Sequence, residues 1–190
     1  HSDTLSYAQI SDVSSVMKLV NIDKSRYRSV NNQVQIGLVE TLAILSLVFG
    51  QLMIYFFGVK QLAGVESTGN FHLNFTGFIL AIMACSLLVR NLRHKPRFYE
   101  VYYVWQLKQL QNKIFRKLKS VQQAAKDNNR DALVILSFYY QSLSLVYNLD
   151  NNTLTISNVN NELDKLQQCI DAAGYSIDVE EFTPGMLQAF

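Results

Sequence analysis

Hydrophobic and polar positions divide the chain into two regimes. Between residues 34 and 92 apolar side chains run almost without interruption, and beyond residue 96 they recur every three or four positions among polar ones. The first regime holds two segments, VQIGLVETLAILSLVFGQLMIYFFGV at 34–59 and FHLNFTGFILAIMACSLLV at 71–89. About 20 mainly apolar residues cross the hydrocarbon core of a bilayer. Helices buried in soluble cores seldom stay apolar on every face for that length. The pattern predicts a two-helix transmembrane hairpin over 34–92.

The second regime predicts three amphipathic helices. From Pro96 to about Lys126 the apolar stripe is Val104, Leu107, Gln111, Ile114, Leu118, Val121 and Ala125. From Arg130 to Asn148 it is Ala132, Leu136, Tyr139, Leu143 and Val146. The third helix is expected to be capped by Ser157 and ended by Gly174, with Val159, Leu163, Leu166, Ile170 and Ala173 on its apolar face. NNTLTIS before it reads as a loop or a brief extended piece. In the tail, Thr183-Pro184 is a helix-start signal, and the stretch carrying Ile177, Val179, Phe182, Met186, Leu187 and Phe190 is expected to fold back over the bundle. The expected fold is all-α: the hairpin, then a three-helix bundle over 96–190 with a short helical tail. An intermolecular coiled coil would need more than the roughly three heptads present, which Gln111 interrupts.

Charge adds an orientation. The net charge is only +2, but its distribution is uneven. Lys18, Lys24, Arg26 and Arg28 precede the first apolar segment, and Arg90, Arg93, Lys95 and Arg97 follow the second. The connection KQLAGVESTGNF carries Lys60 opposed by Glu66. Basic residues at span ends stay in the cytoplasm, so both termini are expected there, with 17–33 as a cytoplasmic juxtamembrane segment. The same cations are expected to meet anionic lipid headgroups. Tyr55, Phe56, Phe57, Phe71 and Phe75 are expected at the outer interface, and Phe98, Tyr99, Tyr102, Tyr103 and Trp105 at the inner one.

Inside the hairpin, Ser46 and Gly50 on one helix and Gly77, Ala81 and Cys85 on the other form small-residue stripes suited to close packing in lipid. Gln51 needs a hydrogen-bond partner at its depth. Glu40 is expected to reach headgroup water or pair with Arg90 or Arg93, rather than serve as an ion or proton site.

Catalytic chemistry is not visible. His1, His72 and His94 share no element and no metal-ligand spacing. There is no phosphate-binding glycine loop and no nucleophile elbow. Cys85 and Cys169 lie far apart, which speaks against a disulfide framework, and Cys169 is expected to face a helical core. The sequons at Asn74 and Asn151 fall at a span edge and on the cytoplasmic side, so neither is read as glycosylated. The basic cluster is accounted for by topology, so no nucleic-acid partner is expected. No catalytic, cofactor-binding or metal residue is assigned. Met17 followed by Lys18 reads as a natural start, and residues 1–16 are expected to be an added or upstream extension.

The runs MKLVNIDKSRYR, FYEVYYVWQLKQLQNKIFRKLK and YNLDNNTLTISNVNNELDKL resemble a family of small gammaproteobacterial inner-membrane proteins, domain of unknown function 3087, over Met17 to Phe190. The resemblance implies a two-span protein of the bacterial inner membrane and supplies no activity or site residue. The expected function is non-enzymatic: an anchored cytoplasmic bundle that binds an unidentified protein partner or regulates a membrane complex. The alternative is a homo-oligomeric channel or transporter subunit, with Gln51 and Glu40 facing a polar path.

Overall fold

A computed structural model describes residues 18–58 and 69–190. Residues 1–16 and the connection from Lys60 to Thr68 therefore lie outside the described residues. Every regular element described is helical. The α-helices are α1 (Lys24–Phe57), α2 (Phe71–Leu92), α3 (Tyr99–Lys126), α4 (Arg130–Leu149) and α5 (Thr153–Ala173), with 3-10 turns at Pro96–Phe98, Val179–Glu181 and Pro184–Ala189. The chain forms two compact units, one made of residues 18–28 with 99–190 and the other of 29–98.

In the first unit α4 is the centre. Ala132 through Tyr140 are all buried, so this helix is covered on every side rather than along one stripe. It packs against both α3 and α5, and the two turns of the tail close over it. Phe182 is fully buried, its ring stacked on Phe138 with centroids 4.1 Å apart. From α3 the core takes Val104, Leu107, Ile114 and Val121, and from α5 Val159, Leu166 and Ile170. One polar pair sits inside it. Gln111 donates to the Ser142 hydroxyl at 3.1 Å, and that hydroxyl donates to the Tyr139 carbonyl at 2.8 Å. A buried amide so partnered avoids most of its desolvation cost, which is why Gln111 occupies a core position.

The ends of these helices follow local rules. The Asn129 side chain accepts from the Ala132 N–H and starts α4. Gly174 ends α5 at φ 71°, a left-handed position that favours glycine. The start of α5 differs from the sequence expectation. Asn152 caps it, accepting from the Thr155 N–H, and the NNTLTIS stretch supplies its first turns. Ser157 lies inside the helix, where its hydroxyl turns back to the Leu154 carbonyl. Cys169 is exposed rather than core-facing, because Leu166 and Ile170 take the buried positions on either side of it.

The second unit contains most of α1 and all of α2. Their apolar side chains point outward: Leu47 is 70% exposed and Leu87 66%. The small residues face inward, with Ala81 at 0% and Gly50 and Gly77 buried. Among the described residues three helices, α1, α2 and α4, are long and apolar enough to cross a membrane. Two-thirds of the apolar window of α4 is buried in its own unit, against 6% for α1 and 17% for α2.

Candidate functional site

The sequence that precedes α1 is bound into the helical unit, and the contact is built from a few specific groups. Asp23 starts α1: its carboxylate accepts from the backbone N–H groups of Ser25 at 2.8 Å and Arg26 at 3.0 Å and from the Ser25 hydroxyl. These bonds, Arg26 first, hold its carboxyl below the usual range. Just upstream, the phenol of Tyr103 on α3 donates to the Lys18 carbonyl at 2.7 Å and accepts from the Val20 N–H at 3.2 Å. Burial pushes that phenol up to about 12. Ile22 and Tyr27 enter the core of the unit.

Around this seam lies a ring of polar contacts. Tyr27 donates to Asp150 at 3.2 Å, and Asp150 also receives Lys108 at 2.7 Å. Burial, with the Asp150 charge adding to it, raises the Tyr27 phenol above its ordinary value. Lys24 reaches Asn148 at 3.2 Å and Asn151 at 3.1 Å, and Lys18 pairs with Glu180 at 2.6 Å. Arg26 stands 3.7 Å from Glu100, whose other oxygen is buried without a hydrogen-bond partner. Burial raises the Glu100 carboxyl; Arg26 opposes the shift and Asp23 adds to it.

Lys24 and Arg26, expected at lipid headgroups, thus make contacts within the helical unit, while Arg28 is exposed. Tyr103, expected at a membrane interface, is buried among these groups because two backbone groups of the preceding segment claim its hydroxyl. Sequence reasoning missed the seam. Leu19, Val20 and Ile22 are too few to show a period, and the only signal was an Asp-Ser capping pair.

At the far end of α2, Arg90, Lys95 and Arg97 are exposed and Arg93 is half-buried. Arg97 donates to Gln33 on α1, and Arg93 to the His94 ring at 3.1 Å. The two helices approach most closely at glycines. A Cβ on Gly77 would stand 2.6 Å from the Gly50 Cα and 2.8 Å from the Phe49 carbonyl carbon, closer than side chains adopt. A Cβ on Gly50 would press only on Asn74 Oδ1, at 2.9 Å. Ser46 and Cys85 are half-buried, and the Ser46 hydroxyl donates to the Leu42 carbonyl. Glu40 and Gln51 are exposed on α1, and neither pairs with another described residue. Among the described residues, no group of three His, Cys, Asp or Glu side chains could hold a metal ion.

Residues 17–187 match the model of the family described as Protein of unknown function (DUF3087). The chain belongs to this family. No curated protein and no solved structure matches it.

Proposed function

We propose that this member of the DUF3087 family is a membrane protein that crosses the bilayer twice, through α1 and α2, and presents residues 18–28 and 99–190 together in the bacterial cytoplasm. There the helical domain binds a protein partner or regulates a membrane complex without catalysing a reaction. The observation that carries this reading is the seam at Tyr103. The segment before α1 and the domain after α2 share one core. Both lie on one side of any membrane, so the chain between them crosses it an even number of times. The two outward-apolar helices of that stretch supply two crossings.

Three further features support it. The apolar length of α4 is accounted for by burial, so a third crossing is not required. Cations sit at the outer ends of both apolar runs, the arrangement that retains those ends in the cytoplasm. Trp105, 54% exposed and stacked on Tyr102 with centroids 5.8 Å apart, has the character of an interfacial ring. The channel or transporter reading draws on Glu40 and Gln51, which lie about three helical turns apart on one face of α1.

The test is purification of the full chain from its native membrane in mild, uncharged detergent. A stoichiometric second protein supports the partner-binding reading. A homo-oligomer whose ion flux is lost on Glu40→Gln or Gln51→Leu replaces it with the channel reading, and a bound organic cofactor would overturn the non-enzymatic assignment.

A further inference from the structure

On α3, away from the seam, cations accumulate without counter-charges. Glu100 is the only acid on this helix, against six Lys and Arg residues, and Lys108 is taken by Asp150. Lys113 and Arg116 pair with no other described residue. Together with Lys117, and with Pro184, Leu187 and Gln188 of the last turn, they line an open cleft of about 270 Å³. Lys117 is half-buried and fixed there, its ammonium donating to the Leu187 carbonyl at 2.7 Å. An ammonium has three N–H donors, so this bond anchors the side chain and leaves two for an occupant.

We infer that this cleft is a binding site for a phosphate ester. Positions 113, 116 and 117 are spaced three and four apart, which places their side chains on one face of α3. Lys117 is positioned by the tail, and Arg116 brings the planar fork that matches phosphate oxygens in pairs. The opposite wall is apolar at Pro184 and Leu187, so it suits the carbon side of an ester rather than a bare hydrated ion. Two sources share this chemistry: the headgroup of an anionic phospholipid and a soluble phosphate monoester. The soluble source does not depend on the membrane reading above, so failure of that reading and failure of this site are distinguishable.

The experiment uses the full chain in uncharged detergent. The probes are phosphatidic acid, with phosphatidylcholine as the zwitterionic control, followed by native mass spectrometry, and glycerol 3-phosphate followed by calorimetry. The variant is Lys113→Gln with Arg116→Gln, both exposed and unpaired with any other described residue, with Lys117 kept so that the tail stays seated. The comparison variant replaces Arg90, Arg93, Lys95 and Arg97 with Gln. Removing the two cleft cations is expected to weaken phosphatidic acid binding about thirtyfold, and the comparison variant is expected to retain the cleft-bound molecule. Glycerol 3-phosphate binding with the same sensitivity assigns a soluble ester, and its absence alongside phosphatidic acid binding assigns a lipid headgroup. Failure of the wild-type chain to bind either probe, or equal binding by wild type and the cleft variant, overturns the inference.

Discussion

The Tyr103 phenol bonds to two backbone groups of the segment that precedes α1, the carbonyl of Lys18 and the N–H of Val20. One hydroxyl therefore joins residues more than eighty positions apart, across the whole of α1 and α2. Tyr103→Phe keeps the ring and removes both bonds. It is expected to destabilise the helical unit by about 1–2 kcal/mol. Hydrogen exchange should place the loss locally: Val20 should lose protection while Val134 to Phe138 on α4 keep theirs. Unchanged protection at Val20 would mean that Ile22 and Tyr27 alone hold the segment.

Glu100 gives the unit a pH dependence of defined sign. Its carboxyl is raised above the ordinary 4.5, mainly by burial, so the folded unit holds this proton more tightly than the unfolded chain. Stability from this group is present below that value and is lost as pH rises above it. Asp23 works in a different window: lowered from 3.8 by its backbone bonds, it adds stability that is lost as pH falls further. Glu100→Gln should therefore flatten the loss of stability as pH rises above the carboxyl's ordinary value. Denaturant titrations of both chains at pH 5, 6 and 7 measure this, and parallel curves would show that Glu100 does not titrate there.

The glycines of the helix contact are not equivalent. Gly77→Ala drives a methyl into the Gly50 backbone, whereas Gly50→Ala displaces only the end of the Asn74 side chain. The first is expected to cost about 1–3 kcal/mol and the second much less. Thermal unfolding of the two variants in detergent should separate them, and equal midpoints would place the closest approach elsewhere.

Phe182 ties the tail to the central helix. Phe182→Ala removes the stack on Phe138 and opens a cavity in the core, at an expected cost of about 3–5 kcal/mol. Limited proteolysis should then cut within 176–190 before it cuts α5. Resistance equal to the wild-type chain would mean that Leu187 and Met186 hold the tail unaided.

Much of this arrangement is legible along the chain because it follows periodicity. The unbroken apolar runs give α1 and α2, and the three-four spacing of Val104, Leu107, Gln111 and Ile114 gives the buried face of α3. What spacing cannot give is how many sides of a helix are covered. α4 reads as a stripe through Ala132, Leu136 and Tyr139, yet Leu133 to Ile135 are equally buried because α3, α5 and the tail surround it. Capping choices are ambiguous for the same reason. Asn152 and Ser157 are both good caps, and which one starts α5 depends on what the first turn packs against. The seam and the Lys113 cleft escape a linear reading because each is made by segments far apart in sequence.

The central claim is that α1 and α2 carry the chain across a membrane and back, leaving residues 18–28 and 99–190 on one side. Its most direct measurement is side-specific cysteine labelling in intact cells, with Cys85 and Cys169 replaced by Ser and single cysteines placed at Lys18, Ser67 or Leu154. Leu154 is 87% exposed, so its reagent access depends on the compartment and not on burial. An impermeant maleimide should label the Ser67 position in intact cells and reach the Lys18 and Leu154 positions only after the membrane is permeabilised. Labelling of Ser67 and Leu154 from the same side would contradict the account.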